Sequence, residues 1–181
     1  MKTNDHTASC GLRGHRVILC PLLREFASDE YLAWLNDPDV LRYRAPKSRT
    51  MSWEDMVAWL DEVPDDSRRF AITVDGRHIG NISLDGIQQH HATADLGIML
   101  GAKDVWGKGY GKEAIEVLTQ FGFGQLGLHR ISASSPNPAF NAIMRSLGWE
   151  HEGTAREAFL CEGQHIDIER WAILASKQTP A

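Results

Sequence analysis

Cysteine is scarce in this chain. Three occur in 181 residues, at positions 10, 20 and 161, and no two form a Cys-x-x-Cys pair. An odd, scattered set builds neither a disulfide framework nor a cysteine zinc site. It suits a reducing compartment, so a cytoplasmic location is expected. Long apolar runs are missing as well, and none approaches the length that crosses a bilayer. The polar start MKTNDHTASC holds no apolar segment of the kind that directs secretion, so no membrane partner is expected. Excess positive charge is lacking too. With 19 Lys and Arg against 24 Asp and Glu, the net charge is −5, which argues against a broad footprint for nucleic acid. Metal ligands are sparse. His90-His91 is an adjacent pair with no third ligand at a usable spacing, so a solvated hairpin loop is the better reading and no metal is expected.

What is present fits one globular domain with a core large enough to need no staples: 43% hydrophobic and 24% charged residues. We expect a flexible N-terminus over 1–10, a single domain over 11–175 and a short tail over 176–181. HRVILCPL (15–22) reads as a strand closed by Pro21. Ser28 is placed to cap a short helix whose Tyr31, Leu32 and Leu35 share a face, and Asn36-Asp37-Pro38 ends it. Ser52 and Asp55 have capping-box spacing ahead of a second helix with Met56, Val57, Trp59 and Leu60 as its apolar face. Asp75-Gly76 turns a hairpin within 68–87, and 92–101 is a further strand. A glycine-rich start at 107 passes into a helix with Ala114, Ile115, Leu118 and Phe121 inward. Strand 129–135, a helix over 137–147 and two strands turning at Glu162-Gly163 follow. The order β-α-α-β-β-β-α-β-α-β-β predicts an α/β (α+β) domain on a mixed sheet.

The segment Trp106-Gly107-Lys108-Gly109-Tyr110-Gly111-Lys112-Glu113 lies between a strand and a helix. Glycines admit positive φ and close approach, and the new helix offers unpaired N–H groups, a combination that binds phosphate. A Walker loop does not fit: the spacing from Gly107 to Gly111 is one residue short, and Glu113 stands where Ser or Thr is needed. A dinucleotide fingerprint does not fit either, because the next strand, HRISASS, ends in serines and not in an acid.

These residues resemble the acetyl-CoA loop of the GNAT acyltransferase superfamily, Arg/Gln-x-x-Gly-x-Gly/Ala, with Trp106 in the first slot as in its RimJ/RimL-like branch. Asn137, Gly148-Trp149, Glu152-Gly153, Arg156-Glu157, and Gly163 with Asp167 follow that branch in order, and the likeness spans roughly 11–175. The resemblance implies a mostly antiparallel sheet of about seven strands, splayed between the fourth and fifth, with about four helices. It implies an acetyl-CoA-dependent N-acetyltransferase in which a bound amine attacks the thioester directly. Pantetheine would lie along Met99, Leu100 and Gly101. The loop Trp106, Gly107, Lys108, Gly109, Tyr110, Gly111 and Lys112 would hold the pyrophosphate. Asn137 would reach the pantetheine or thiol region.

A lysine ammonium is only about 0.1% neutral near pH 7.4, so a base is useful. Asp95 is the candidate. It stands on the strand that leads into the loop, spaced like the strand glutamate of the histone-acetyltransferase branch. The family's acid and base slots at Phe140, Met144 and Phe159 carry no titratable group here; Asn141 and Ser134 could orient a water. Glu157 is an alternative base or an ion-pair partner of Arg156. His129 reads as structural. Trp34, Trp53 and Trp59 read as core. The basic run Arg42, Arg44, Lys47 and Arg49 suits either solvent or a phosphorylated acceptor, and the acidic helix 54–66 suits either solvent or a cationic one. A small amine, an amino-sugar nucleotide and a protein N-terminus all remain open as acceptors. So does a non-catalytic acyl-CoA sensor, and a homodimer is compatible with the family.

Overall fold

The computed structural model describes residues 11–44 and 49–177. Cys10, Lys47, the expected flexible start and most of the tail lie outside them. Eight strands form one sheet: β1 Leu12–Arg13, β2 Ile18–Pro21, β3 Arg68–Val74, β4 Arg77–Gln88, β5 Thr93–Leu100, β6 Arg130–Ser135, β7 Glu150–Cys161 and β8 Gln164–Leu174. Their order is β1-β2-β3-β4-β5-β6-β8-β7, and only β5 and β6 run parallel. The helices are α1 Asp29–Trp34, α2 Pro38–Leu41, α3 Trp53–Asp61, α4 Tyr110–Gly124 and α5 Pro138–Ser146. Beyond the seven strands and four helices read from sequence stand the two-residue β1 and the single turn α2. Both are too short for periodicity to show.

Local chemistry sets the boundaries. Ser28 accepts the Tyr31 amide, and Ser52 with Asp55 closes a complete capping box. Asp37 ends one helix and caps the next, accepting the Asp39 and Val40 amides, with Pro38 in the first turn. Asp75 (φ 50) and Gly76 (φ 78) are both left-handed, the two-residue turn that matches the twist of a hairpin.

The strands sort residues to two faces. Ile82, Leu84, Leu96, Ile98 and Ile131 face α4, where Gly122 lets the helix sit close to Leu84 and Ile131. Tyr31 and Trp34 of α1 pack edge-on around His78 of β4 on the sheet's other side. Trp34 belongs to the core, whereas Trp53 and Trp59 do not. They remain 40% and 38% exposed, and Trp59 lies under the Arg69 guanidinium.

Candidate active site and cofactor loop

β5 and β6 share only three rungs: Thr93↔Arg130, Ala94↔Ile131 and Asp95↔Ser132. Beyond Asp95, β5 runs on with β4 as its only partner, while β6 from Ala133 runs on with β8. The strands therefore part into a V whose inner edges carry backbone groups with no strand opposite. Met99 and Leu100 lie on the β5 arm. Gly101 stands at its end, but its N–H donates to the Ile79 carbonyl at 3.0 Å, so only its carbonyl remains for a ligand. A Cβ at Gly101 would fall 2.0 Å from the Trp34 indole. Glycine here answers a packing demand.

The loop follows. The Trp106 indole donates to the Leu100 carbonyl at 3.0 Å and ties the loop to the end of β5. Gly107 (φ 74) and Gly109 (φ 85) are left-handed, a conformation that costs other residues about 1–2 kcal/mol. Gly109 is the N-cap of α4 and offers no side chain, whereas α1, α2, α3 and α5 each have a capping side chain. The long helix alone thus presents its first N–H groups uncapped, beside Lys108 and Lys112.

Against the loop lies a clasp that the motif did not reveal. The Glu113 carboxylate accepts the Arg16 and Val17 amides and pairs with the Arg16 guanidinium at 3.0 Å. Burial pushes this carboxyl up, but those hydrogen bonds outweigh it and hold it below the usual range. Arg16 Nη1 also donates to the Lys108 carbonyl at 3.1 Å.

Asp95 sits at the apex of the V with an exposed side chain, and the Ser132 hydroxyl donates to it at 2.5 Å. Directly across β4 stands Asp85, which accepts the Ser67 and Ser83 hydroxyls. The apex therefore holds two carboxylates and three serines, of which the sequence reading had singled out Asp95 alone. The slots of Phe140, Met144 and Phe159 are apolar, and Met144 is fully buried. Asn137 spends Oδ1 on the cap of α5. Asn141 is committed as well, to the Trp171 indole and the Ser135 carbonyl. Glu157 is exposed in a bulge with its amide donating to Asp167, and His129 is exposed. Among the described residues no group of His, Cys, Asp and Glu is arranged for a metal.

A cleft of about 520 Å³ opens beside the far end of β6. Pro136, Pro138, Tyr43 and Ile166 line it together with Glu162, Asp167 and Glu169. Arg145, the one cation among the described residues that line it, is forked onto Glu169 at 2.6 and 2.7 Å. In the basic run, Arg42 pairs with Asp39 and Glu162 and Arg49 with Asp55, while Arg44 has no ion pair among the described residues.

Comparison with known proteins agrees with this architecture. The family described as acetyltransferase (GNAT) domain matches residues 16–150. An uncharacterized N-acetyltransferase, p20 of Bacillus licheniformis, is 28% identical over 81% of the chain and 86% of its own length. The spermidine N(1)-acetyltransferase of Escherichia coli K12 is 29% identical over 92% of both. The crystal structure of spermidine N-acetyltransferase from Vibrio cholerae, in complex with CoA and spermine, superposes with a TM-score of 0.80 at 24% identity. It covers 90% of this chain and 97% of that one, a likeness of fold. With its splayed strands and uncapped glycine loop, the chain belongs to the GNAT acetyltransferase family and is an acetyl-CoA-dependent N-acetyltransferase.

Proposed function

We propose that the acceptor is a small cationic amine of the polyamine type, and that it enters through the cleft beside β6. The observation that carries this reading is the cleft's charge: among the described residues three carboxylates line it, and with Arg145 on Glu169 and Arg42 on Glu162, Asp167 stands without an ion pair. An amino-sugar nucleotide would need free cations for its phosphates. Of the described members of the basic run, Arg42 and Arg49 are already engaged by acids, which leaves Arg44 alone for the phosphates. The spermidine specificity of the Escherichia coli relative supports the same choice.

Acetyl transfer then proceeds by direct attack. Asp95, at the apex, takes the proton from the incoming ammonium, directly or through a water. The nitrogen forms its bond to the thioester carbon, the carbon–sulfur bond breaks, and the second proton of the bonded nitrogen passes to water. The tetrahedral oxygen is met by backbone N–H groups on the inner edge of β5. A thiol of pKa about 8.5 leaves readily as thiolate, so water can return its proton without a dedicated acid. The loop Trp106–Lys112 holds the CoA phosphates, with Met99 and Leu100 along the pantetheine and the Asn137 amide nitrogen near the thiol. The same loop, with Trp106 in its first slot, favours the RimJ/RimL-like branch.

The test is a thiol-release assay with acetyl-CoA and three acceptors: spermidine, a UDP-linked amino sugar and an alanine-terminated peptide. Spermidine should be turned over with the highest kcat/KM, and Glu162→Gln should raise its KM with kcat unchanged. Preferred turnover of the nucleotide or the peptide would overturn the acceptor assignment. Tight acetyl-CoA binding without turnover of any amine would favour a sensor.

A further inference from the structure

We propose that Arg16, 92 residues before Lys108 in sequence, is a phosphate-binding residue of the acetyl-CoA site. The inference rests on the reading that the Trp106–Lys112 loop holds the CoA phosphates. Arg16 is fixed from four sides. Its Nε pairs with Glu113, its Nη1 with the Lys108 carbonyl, and its guanidinium lies 4.6 Å over the Tyr110 ring. Its Nη2 comes to 3.3 Å from where a Cβ at Gly109 would stand.

Among the described residues Nη2 has no hydrogen-bond partner, and the Arg16 side chain is 44% exposed. A guanidinium held flat beside the glycine that opens α4, with both Nη2 donors unused among the described residues, suits a phosphate oxygen. Charge argues the same way. Glu113 lies in the first turn of α4, where an anionic ligand would meet a like charge. Arg16 neutralises that carboxylate and draws it onto the Arg16 and Val17 amides, off the face the ligand would use. The short, preorganised fork also spares the entropy that a free lysine would lose on binding.

Thioesters with and without phosphates test this directly. Steady-state kinetics of the wild type, Arg16→Gln and Arg16→Lys would be measured with acetyl-CoA, acetyl-dephospho-CoA and S-acetylpantetheine. Arg16→Gln should raise the KM for acetyl-CoA about tenfold or more, the range of a hydrogen bond to a charged group, with kcat unchanged. It should leave S-acetylpantetheine kinetics as in the wild type, which also reports that the variant is folded. Arg16→Lys, keeping the charge without the fork, should fall between. A penalty that persists with acetyl-dephospho-CoA supports contact at the diphosphate; one that vanishes supports contact at the 3′-phosphate. Equal losses with S-acetylpantetheine would overturn the proposal and leave Arg16 a structural clasp. Failure of the underlying reading looks different: the wild type itself would then use acetyl-CoA and S-acetylpantetheine with the same KM.

Discussion

The Ser132 hydroxyl donates to the Asp95 carboxylate at 2.5 Å across the last rung that β5 and β6 share. One residue further on, the strands part. On the proposed mechanism the pair stands where the thioester carbon and the incoming amine meet in the V. A hydrogen bond from Ser132 fixes the Asp95 rotamer, which an exposed aspartate would not hold by itself. Asp95→Asn should lower kcat by about 10²-fold, the lower end of general-base catalysis, with the KM for acetyl-CoA unchanged. Ser132→Ala should lower kcat about tenfold, and Ser132→Thr should restore it. In an Asp95→Asn background, Ser132→Ala should cost nothing further. Unchanged rates in both single variants would remove the pair from catalysis.

Gly109 tests the loop. With φ at 85 and no side chain, it opens α4 toward the ligand. Gly109→Ala adds about 1–2 kcal/mol of left-handed strain and presses a methyl toward Arg16. For a domain of this size the melting temperature should drop by roughly 2–8 °C. Acetyl-CoA should also lose much of its stabilising effect on that melt. A variant that melts as the wild type and responds fully to acetyl-CoA would refute the assignment of Gly109.

Gly101 should behave differently. A methyl there meets the Trp34 indole and not a ligand. Gly101→Ala should destabilise by about 1–3 kcal/mol through overpacking, while the residual folded enzyme keeps its KM for acetyl-CoA. Chemical denaturation together with kinetics separates the two effects.

His78 predicts a pH dependence of stability. Burial pushes its imidazole below the ordinary value, with hydrogen bonds to Asn81 and Gly80 opposing only in part. The unfolded chain takes up this proton near pH 6.5 and the native state does so only at lower pH. Stability should therefore be complete above about pH 6.5 and fall as the pH drops below it. Glu113, held below its usual range, contributes stability that is lost only further down, below about pH 4.5. Denaturant midpoints between about pH 5 and 7 should show the loss in the wild type, and His78→Gln should flatten it. The Nδ1 atom of His78 and the hydroxyl of Tyr31 are buried with no hydrogen-bond partner among the described residues. Burial drives the Tyr31 hydroxyl up to about 12, which the nearby Asn81 amide and the Arg44 and Arg69 charges offset only partly.

Much of this was legible in the amino-acid order, for local reasons. Caps at Ser28, Ser52 and Asn137, the Asp75-Gly76 turn and the apolar stripe of α4 act within a few residues of themselves. The glycine loop was legible for the same reason: positive φ and an uncapped helix start are properties of a contiguous segment. Tertiary structure decided everything that joins distant segments. It set Arg16 against Glu113 and Lys108, Ser132 against Asp95, and Asp85 opposite Asp95. It turned Trp34 inward onto Gly101 while leaving Trp53 and Trp59 at the surface, and it paired off Arg42 and Arg49 of the basic run. Such contacts depend on strand register and on which face a side chain takes. These follow from the packing of the whole sheet, which no short window of sequence contains.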